Sequence, residues 1–349
     1  MPEPESIRRA TFVAPSNIAF IKYWGIRDES LVLPCNPSIS MTLTRCTSKC
    51  TAEFDPSSAE DEVWFRAEGE SFAPAAESFA APVRSHLDTL RQRAKRPGRL
   101  RVWTENTFPT GAGIASSASG FAALTLAASH AIGSPPADLD EASMLARLSG
   151  SGSAARSVLG GYVQWPGDPP AEEKGNCTEQ PAVQIAPAGH WDLCDVVAVV
   201  DSEPKGVSSR DGHRRAPTSS RFAPRLEEVP QRLEIVRRAI AHRDIEGLGE
   251  ILEAEAVDLH HVAMSSKPPI YYWRAGTFAV LWALRDLRRQ GIPAYATIDA
   301  GPNVHAICPS DFEERVAEAL EAIPEVELVL QDRVGDGPRE VTRHLDGNR

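Results

Sequence analysis

The chain has 349 residues, 42% of them hydrophobic and 24% charged, a size and composition suited to two globular domains and an ample core. A net charge of −11 excludes the broad basic field that nucleic acid or an anionic membrane surface requires, so a phosphorylated substrate would need a local cluster of cations. No apolar run approaches the roughly 18 residues of a membrane helix, and the polar start through Arg9 lacks a signal-peptide core, which leads us to expect a cytoplasmic protein. Cys35, Cys46, Cys50, Cys177, Cys194 and Cys308 are scattered, and their spacing suits buried free thiols better than a disulfide frame or a metal site.

After a loose tail over residues 1–9, Ala10 to Asn17 predicts an entering strand that stops at Pro15. The next run, Ile18-Ala-Phe-Ile-Lys-Tyr-Trp-Gly25, sets Lys22 and Tyr23 among apolar residues just beyond Asn17. A lysine there either snorkels off an apolar turn or meets a partner or ligand. Ile26 to Pro34 reads as a polar hairpin. Ser38, Ser40 and Thr42 then alternate with Ile39, Met41 and Leu43, as in a half-buried strand. A strand pair around Asp55-Pro-Ser-Ser is expected within Thr51 to Arg66, and a helix over Ala73 to Ala94 ends at Lys95-Arg-Pro-Gly98.

A short strand, Leu100 to Trp103, leads to Phe108-Pro-Thr-Gly-Ala-Gly-Ile-Ala-Ser-Ser-Ala-Ser-Gly120 and then to an alanine-rich helix through His130. Gly111, Gly113, Ser116, Ser117 and Ser119 let backbone approach a ligand, and the start of the following helix favours an anion. The pattern suggests a phosphate cradle, although tight packing of a helix on a sheet calls for the same small residues. It is not a Walker loop, because no Gly-Lys-Ser/Thr closes it.

Asp138 to Leu148 predicts a helix, followed by the second Gly/Ser loop, Ser149-Gly-Ser-Gly-Ser-Ala-Ala-Arg156-Ser157. A plain linker does not explain Arg156, whose guanidinium suits phosphate, and the strand-like Val158 to Trp165 comes next. Pro166 to Cys177 reads as a surface loop and Asp192 to Val200 as an apolar strand, with a domain boundary near residue 190 separating 1–190 from 191–349. Lys205 to Arg215 is a polar loop rich in cations. Helices are expected at about 224–243, 244–260 and 272–290. Ala294 to Asp299 and Val304 to Cys308 form a hairpin with Asp299 at its corner, where an aspartate ordinarily serves as a turn residue. A helix over Phe312 to Ile323 and a strand over Val326 to Leu330 complete the series.

Five stretches in this order resemble the diphosphomevalonate decarboxylases of the GHMP superfamily: Ala14 to Gly25, Asn106 to Gly120, Gly150 to Ser157, Val207 to Gly212 and Asp299-Ala-Gly-Pro-Asn303. The resemblance implies a two-domain α+β fold, its N-terminal half like ribosomal protein S5 domain 2 and its C-terminal half ferredoxin-like, with the active site between them. It implies phosphorylation of the 3-hydroxyl of mevalonate 5-diphosphate by ATP with Mg²⁺, then loss of phosphate and carbon dioxide to give isopentenyl diphosphate. Homodimers are common in the family.

Carried over by position, Asp299 orients or deprotonates the hydroxyl, Lys22 stabilises charge beside it, and Asn17 positions the carboxylate end. Tyr23, Ser151, Ser153, Arg156, Ser209 and Arg210 hold the substrate, while Pro109, Gly111, Gly113, Ala115, Ser116, Ser117 and Ser119 belong to the ATP loop. One departure stands out. Ile26 occupies a position where the family usually has a lysine facing the diphosphate, and losing one charge-assisted hydrogen bond of roughly 1.5–3 kcal/mol would weaken binding about 10- to 150-fold. Arg27, Arg156 or Arg210 could compensate. The alternatives are a phosphomevalonate decarboxylase, a small-molecule kinase that stops after phosphorylation, and a non-catalytic metabolite-binding relative.

Overall fold

The computed structural model describes residues 8–67, 69–109, 116–166, 180–203, 205–346. Two strands organise the N-terminal half. β1, Arg8–Ile21, is buried from Ala10 onward, and β4, Ser38–Asp55, runs antiparallel to it. The expected stop at Pro15 does not occur. Register shifts between Pro15 and Asn17 and between Ala19 and Ile21 absorb the proline and let one strand continue to Ile21. Between them β2, Ile26–Asp28, and β3, Leu33–Pro34, make the predicted hairpin.

The strand expected after Asp55-Pro-Ser-Ser is β5, Glu62–Arg66, but it does not pair with β4. β7, Arg99–Asn106, lies between them, antiparallel to β4 and parallel to β5. The crossover that a parallel pair requires contains β6, Ala73–Pro74, and α1, Glu77–Ala94. α1 therefore begins later than expected, because Ala73 and Pro74 pair with β5. The small residues of α2, Ser116–Ile132, let it lie closely across β1 and β4, and its burial on nearly every side joins Ala122, Ala123 and Ala127 to Phe12, Ala52 and Phe54 in one core. α3, Leu139–Arg147, is capped by Asp138, whose side chain accepts the Glu141 N–H at 2.9 Å. β8, Tyr162–Trp165, pairs with the first part of β4 and with β9, Val183–Ala186.

A second antiparallel sheet starts with β10, Leu193–Val199. It has the order β11-β12-β10-β13, with β11 at Tyr295–Thr297, β12 at Val304–Pro309 and β13 at Leu328–Arg333. Alternation along β10 serves two cores. Cys194, Val196 and Ala198 pack with α7, Ala275–Arg289, and α8, Glu313–Glu321. Leu193, Val197 and Val199 instead join α5, Phe222–His242, α6, Ile245–Ser265, and Ile18, Phe20 and Met41 of the first sheet. This shared core holds the halves together. Part of the predicted cationic loop is helical, as α4, Ser209–Arg215, because Ser208 accepts the Asp211 N–H at 3.1 Å and caps it. Finally β14, Arg339–Glu340, returns to pair with β1.

Candidate active site

β1 delivers the first functional residue. The chain leaves the sheet after Ile21, and Lys22 stands at that exit only 1% exposed. The hairpin corner after β11 brings Asp299 to it from the other half: Lys22 Nζ donates to Asp299 Oδ1 at 2.6 Å and to the Ala19 carbonyl at 2.7 Å. Burial lowers the Lys22 pKa, with Asp299 opposing that pull. Burial also works to raise the Asp299 pKa, but the Lys22 ammonium outweighs it, aided by Lys205, and holds the carboxyl below the ordinary carboxylate range. The Asp299 side chain is 26% exposed and faces a cavity, so an ionised acceptor is open to a substrate hydroxyl.

That cavity has a volume of about 360 Å³. Lys22, Arg156, Lys205 and Arg210 line it, and Asp299 is the only carboxylate on its wall among the described residues. The local field is therefore positive although the chain as a whole is acidic, as phosphate binding requires. Tyr23, Ser151, Ser153 and Ser209 also line it, as do Ile26 and the previously unassigned His213. The Ser151 hydroxyl lies 3.2 Å from those of Ser117 and Ser153, so the first turn of α2 meets the Gly/Ser loop at the cavity. The loop needs its glycines. A Cβ on Gly152 would fall 2.8 Å from ring atoms of Tyr23 and Trp165, and Gly150 has φ +89°.

The remaining predicted residues take different stations. Asn17 is buried behind the wall, donating to Ser157 Oγ at 2.7 Å and accepting from Arg156 Nη2 at 3.0 Å. Arg156 also donates to Ser38 Oγ at 2.5 Å and Ser40 Oγ at 2.9 Å. Burial lowers its pKa to about 10, so it stays charged at neutral pH. Ser119 is buried and bonded to Ser48 Oγ at 2.7 Å, anchoring α2 to β4. Ser116 and Ser117 border a second pocket of about 240 Å³ between α1, β7 and α2, lined by Phe79, Val83, Val102 and Leu124. This pocket shares Pro82, Ser117 and Phe121 with the first. Pro109 precedes the α2 start, while Gly111, Gly113 and Ala115 lie outside the described residues.

Sequence reasoning did not assign Lys205, which donates through Nζ to the Ala300 carbonyl beside Asp299. Its place in the cation-rich run was the available signal. His213 stands in the same run and was likewise left unassigned. It accepts the Gly25 N–H at 3.0 Å, lies 4.3 Å from the Tyr23 ring, and is kept neutral by burial that lowers its pKa to about 3. No cluster of three His, Cys, Asp or Glu suited to a metal occurs among the described residues. Cys46, Cys50, Cys194 and Cys308 are buried free thiols, and Cys35 is half-buried.

Two family models match the chain. The diphosphomevalonate decarboxylase-like N-terminal domain covers residues 14–174, and the mevalonate 5-diphosphate decarboxylase C-terminal domain covers 195–341. A diphosphomevalonate decarboxylase of Candida albicans is 34% identical, over 96% of this chain and 99% of its own. A mevalonate diphosphate decarboxylase structure from Enterococcus faecalis superposes with TM-score 0.84 at 34% identity, covering 96% of this chain and 99% of that one. A solved complex named MDDEF with MVAPP, AMPPCP and magnesium superposes with TM-score 0.85 at 35% identity and the same coverage.

Proposed function

The chain belongs to the diphosphomevalonate decarboxylase family, and we propose that the cavity around Lys22 and Asp299 is where it performs that family's reaction. The reaction is the ATP-dependent decarboxylation of mevalonate 5-diphosphate, a step of the mevalonate pathway to isoprenoids. The observation that carries the site assignment is the Lys22–Asp299 ion pair, on the wall of a cavity where four cations face a single carboxylate among the described residues.

A tertiary hydroxyl leaves poorly and a phosphate leaves well, so the hydroxyl is phosphorylated first. The Asp299 carboxylate accepts the hydrogen of the 3-hydroxyl as its oxygen bonds to the γ-phosphorus of ATP and the bond to ADP breaks. The C3–O bond then breaks. Phosphate departs, and the electrons of the bond to the carboxylate carbon form the double bond as carbon dioxide leaves. Lys22 and Lys205 stabilise the negative charge that gathers beside Asp299, and Arg210, Ser151, Ser153 and Ser209 hold the substrate's phosphates. Arg156 acts on the same wall and fixes Asn17 behind it. Positioning and electrostatics supply the catalysis, as in other phosphoryl transfers.

The nucleotide enters from α2. Its base suits the apolar pocket between α1, β7 and α2, and its phosphates then reach the cavity past Ser117, which borders both. Mg²⁺ prefers oxygen ligands and commonly takes few from protein, so the hydroxyls of Ser117 and Ser151 together with nucleotide phosphates fit it without a carboxylate cage. When bound it would neutralise phosphate charge.

We place the division between the halves near residue 190, after β9 and before β10. Cytoplasmic placement accords with charged, water-soluble reactants; no helix among the described residues is long and apolar enough to cross a membrane. We also propose a homodimer, formed through the face where Val257, Phe278 and Trp282 are 50–57% exposed around a groove between α6 and α7. The test of the site is Asp299→Asn. It should abolish carbon dioxide release from mevalonate 5-diphosphate and ATP while nucleotide binding persists; normal turnover would remove Asp299 from the reaction.

A further inference from the structure

Lys22 lies beyond the last ladder residue of β1, so both of its peptide groups need partners elsewhere. Two side chains of the C-terminal half, together with Asn36, supply them. The Lys22 N–H donates to Glu255 Oε2 of α6 at 3.0 Å. The Lys22 carbonyl accepts from Arg225 Nη2 of α5 at 2.9 Å and from Asn36 Nδ2 at 2.9 Å. These partners also bind each other: Arg225 Nη2 donates to Glu255 Oε2 at 2.8 Å, and Nη1 donates to Asn36 Oδ1 at 3.2 Å. The Arg225 and Glu255 side chains are 0% exposed.

An ion pair this deeply buried is a poor source of stability, because desolvating two charges offsets most of their attraction. Its geometry points to another use. Both hydrogen-bonding groups of one peptide-linked residue are held by a single charged pair, and the side chain of that residue ends 2.6 Å from Asp299. Asp299 belongs to the same half as the pair, and Thr297, two residues before it, donates to the Ala19 carbonyl at 3.1 Å. That carbonyl also receives the Lys22 ammonium.

We propose that Arg225 and Glu255 are positioning residues for the reaction: they clamp the Lys22 backbone so that its ammonium is held on Asp299 rather than swinging into the cavity. Lys22 reaches into the site from the N-terminal half, and the clamp references it to the half that carries Asp299. The inference rests on Lys22 and Asp299 being the reacting pair.

Arg232 provides an internal control. It donates to the other oxygen of Glu255, Oε1, at 2.6 Å and to Asp258 Oδ2 at 3.1 Å, whereas the hydrogen bonds to the Lys22 backbone are made by Glu255, Arg225 and Asn36. The experiment compares Arg225→Met, Glu255→Gln, Arg232→Met and Lys22→Met in full-length enzyme. Thermal unfolding sets an assay temperature at which each is folded. Steady-state carbon dioxide release is then measured across pH, with calorimetric binding of ATP and mevalonate 5-diphosphate.

Arg225→Met and Glu255→Gln should each lower kcat by about 10- to 100-fold, within the range by which misplacement of a catalytic group reduces rate, with substrate affinities little changed. The acid limb of their kcat profiles should move to higher pH, towards that of Lys22→Met. Arg232→Met should lower the melting temperature without moving the limb. Should Arg225→Met fail to fold, Arg225→Lys keeps the charge but loses the two-pronged contact, and is expected to show the same kcat loss. Wild-type kcat and pH profile in folded Arg225 and Glu255 variants would overturn the proposal, as would an equal limb shift in Arg232→Met. Normal turnover in Lys22→Met would instead overturn the site assignment itself.

Discussion

Ile26 makes the diphosphate the sharpest question for this cavity, and Arg210 is the residue that answers it. Of the cations on the wall, Lys22 is engaged by Asp299 and Ala19, Arg156 by Asn17, Ser38 and Ser40, and Lys205 by Ala300. Arg210 is exposed, has no hydrogen bond to a described residue, and its guanidinium sits against the Gly/Ser loop, 3.7 Å from where a Gly150 Cβ would be. Its free fork is the group best placed to meet the terminal phosphate that a lysine at position 26 would otherwise reach.

Removing one charge-assisted hydrogen bond costs about 1.5–3 kcal/mol, or roughly 10- to 150-fold in affinity, and solvent screening of an exposed guanidinium argues for the lower end. Arg210→Met should therefore raise the KM for mevalonate 5-diphosphate about 10-fold while changing the KM for mevalonate 5-phosphate by less than about 3-fold. Ile26→Lys should add little to the native enzyme but restore diphosphate affinity in the Arg210→Met background. The assay is steady-state carbon dioxide release with both substrates for the four members of the cycle. Equal losses for both substrates would mean that Arg210 holds the phosphate they share. No loss, or no rescue by Ile26→Lys, would refute the compensation argument.

A depressed carboxylate pKa means activity persists as pH falls through the ordinary carboxylate range and fails only below it. Removing the ammonium in Lys22→Met leaves burial to raise the Asp299 pKa, so the acid limb of kcat should move to higher pH; an unmoved limb would show that another group sets it. The same linkage applies to stability. The Asp299 contribution is present above its unfolded pKa and lost as pH falls through its lower folded pKa, so acid unfolding of Lys22→Met should start at higher pH, as followed by circular dichroism. Val83→Trp should fill the pocket of about 240 Å³ and raise the KM for ATP at least about 10-fold with unchanged affinity for mevalonate 5-diphosphate. An unaltered ATP KM would move the base elsewhere. Trp282→Glu should place a charge on the exposed α7 face and convert a dimer to monomers in light-scattering chromatography. A wild-type protein that is already monomeric at high concentration would refute that interface.

The sequence by itself determined the elements and much of the chemistry, because both rest on local patterns. Period-two alternation marked β4, an apolar run marked β10, alanine-rich propensity marked α2 and helix boundary signals marked the three long helices, and the residues of Lys22-Tyr23-Trp24 and Ser151 to Arg156 carry their polar groups at positions where an apolar or plain linker sequence would not need them. Local reading failed where pairing is non-local. It stopped β1 at Pro15, which bulges in the register with β4 accommodate, and it paired the strands around Asp55, which β7 separates. It gave Asp299 no distinction beyond a turn, and only the resemblance marked it.

Tertiary structure decided the rest, because electrostatics depends on distance and burial rather than on order along the chain. Lys22 and Asp299 are 277 positions apart and 2.6 Å apart in space, and that approach keeps the aspartate ionised. Arg225 and Glu255 read in sequence as ordinary charges on amphipathic helices. Only the packing of α5 and α6 against the end of β1 turns them inward, onto the backbone of the lysine they hold.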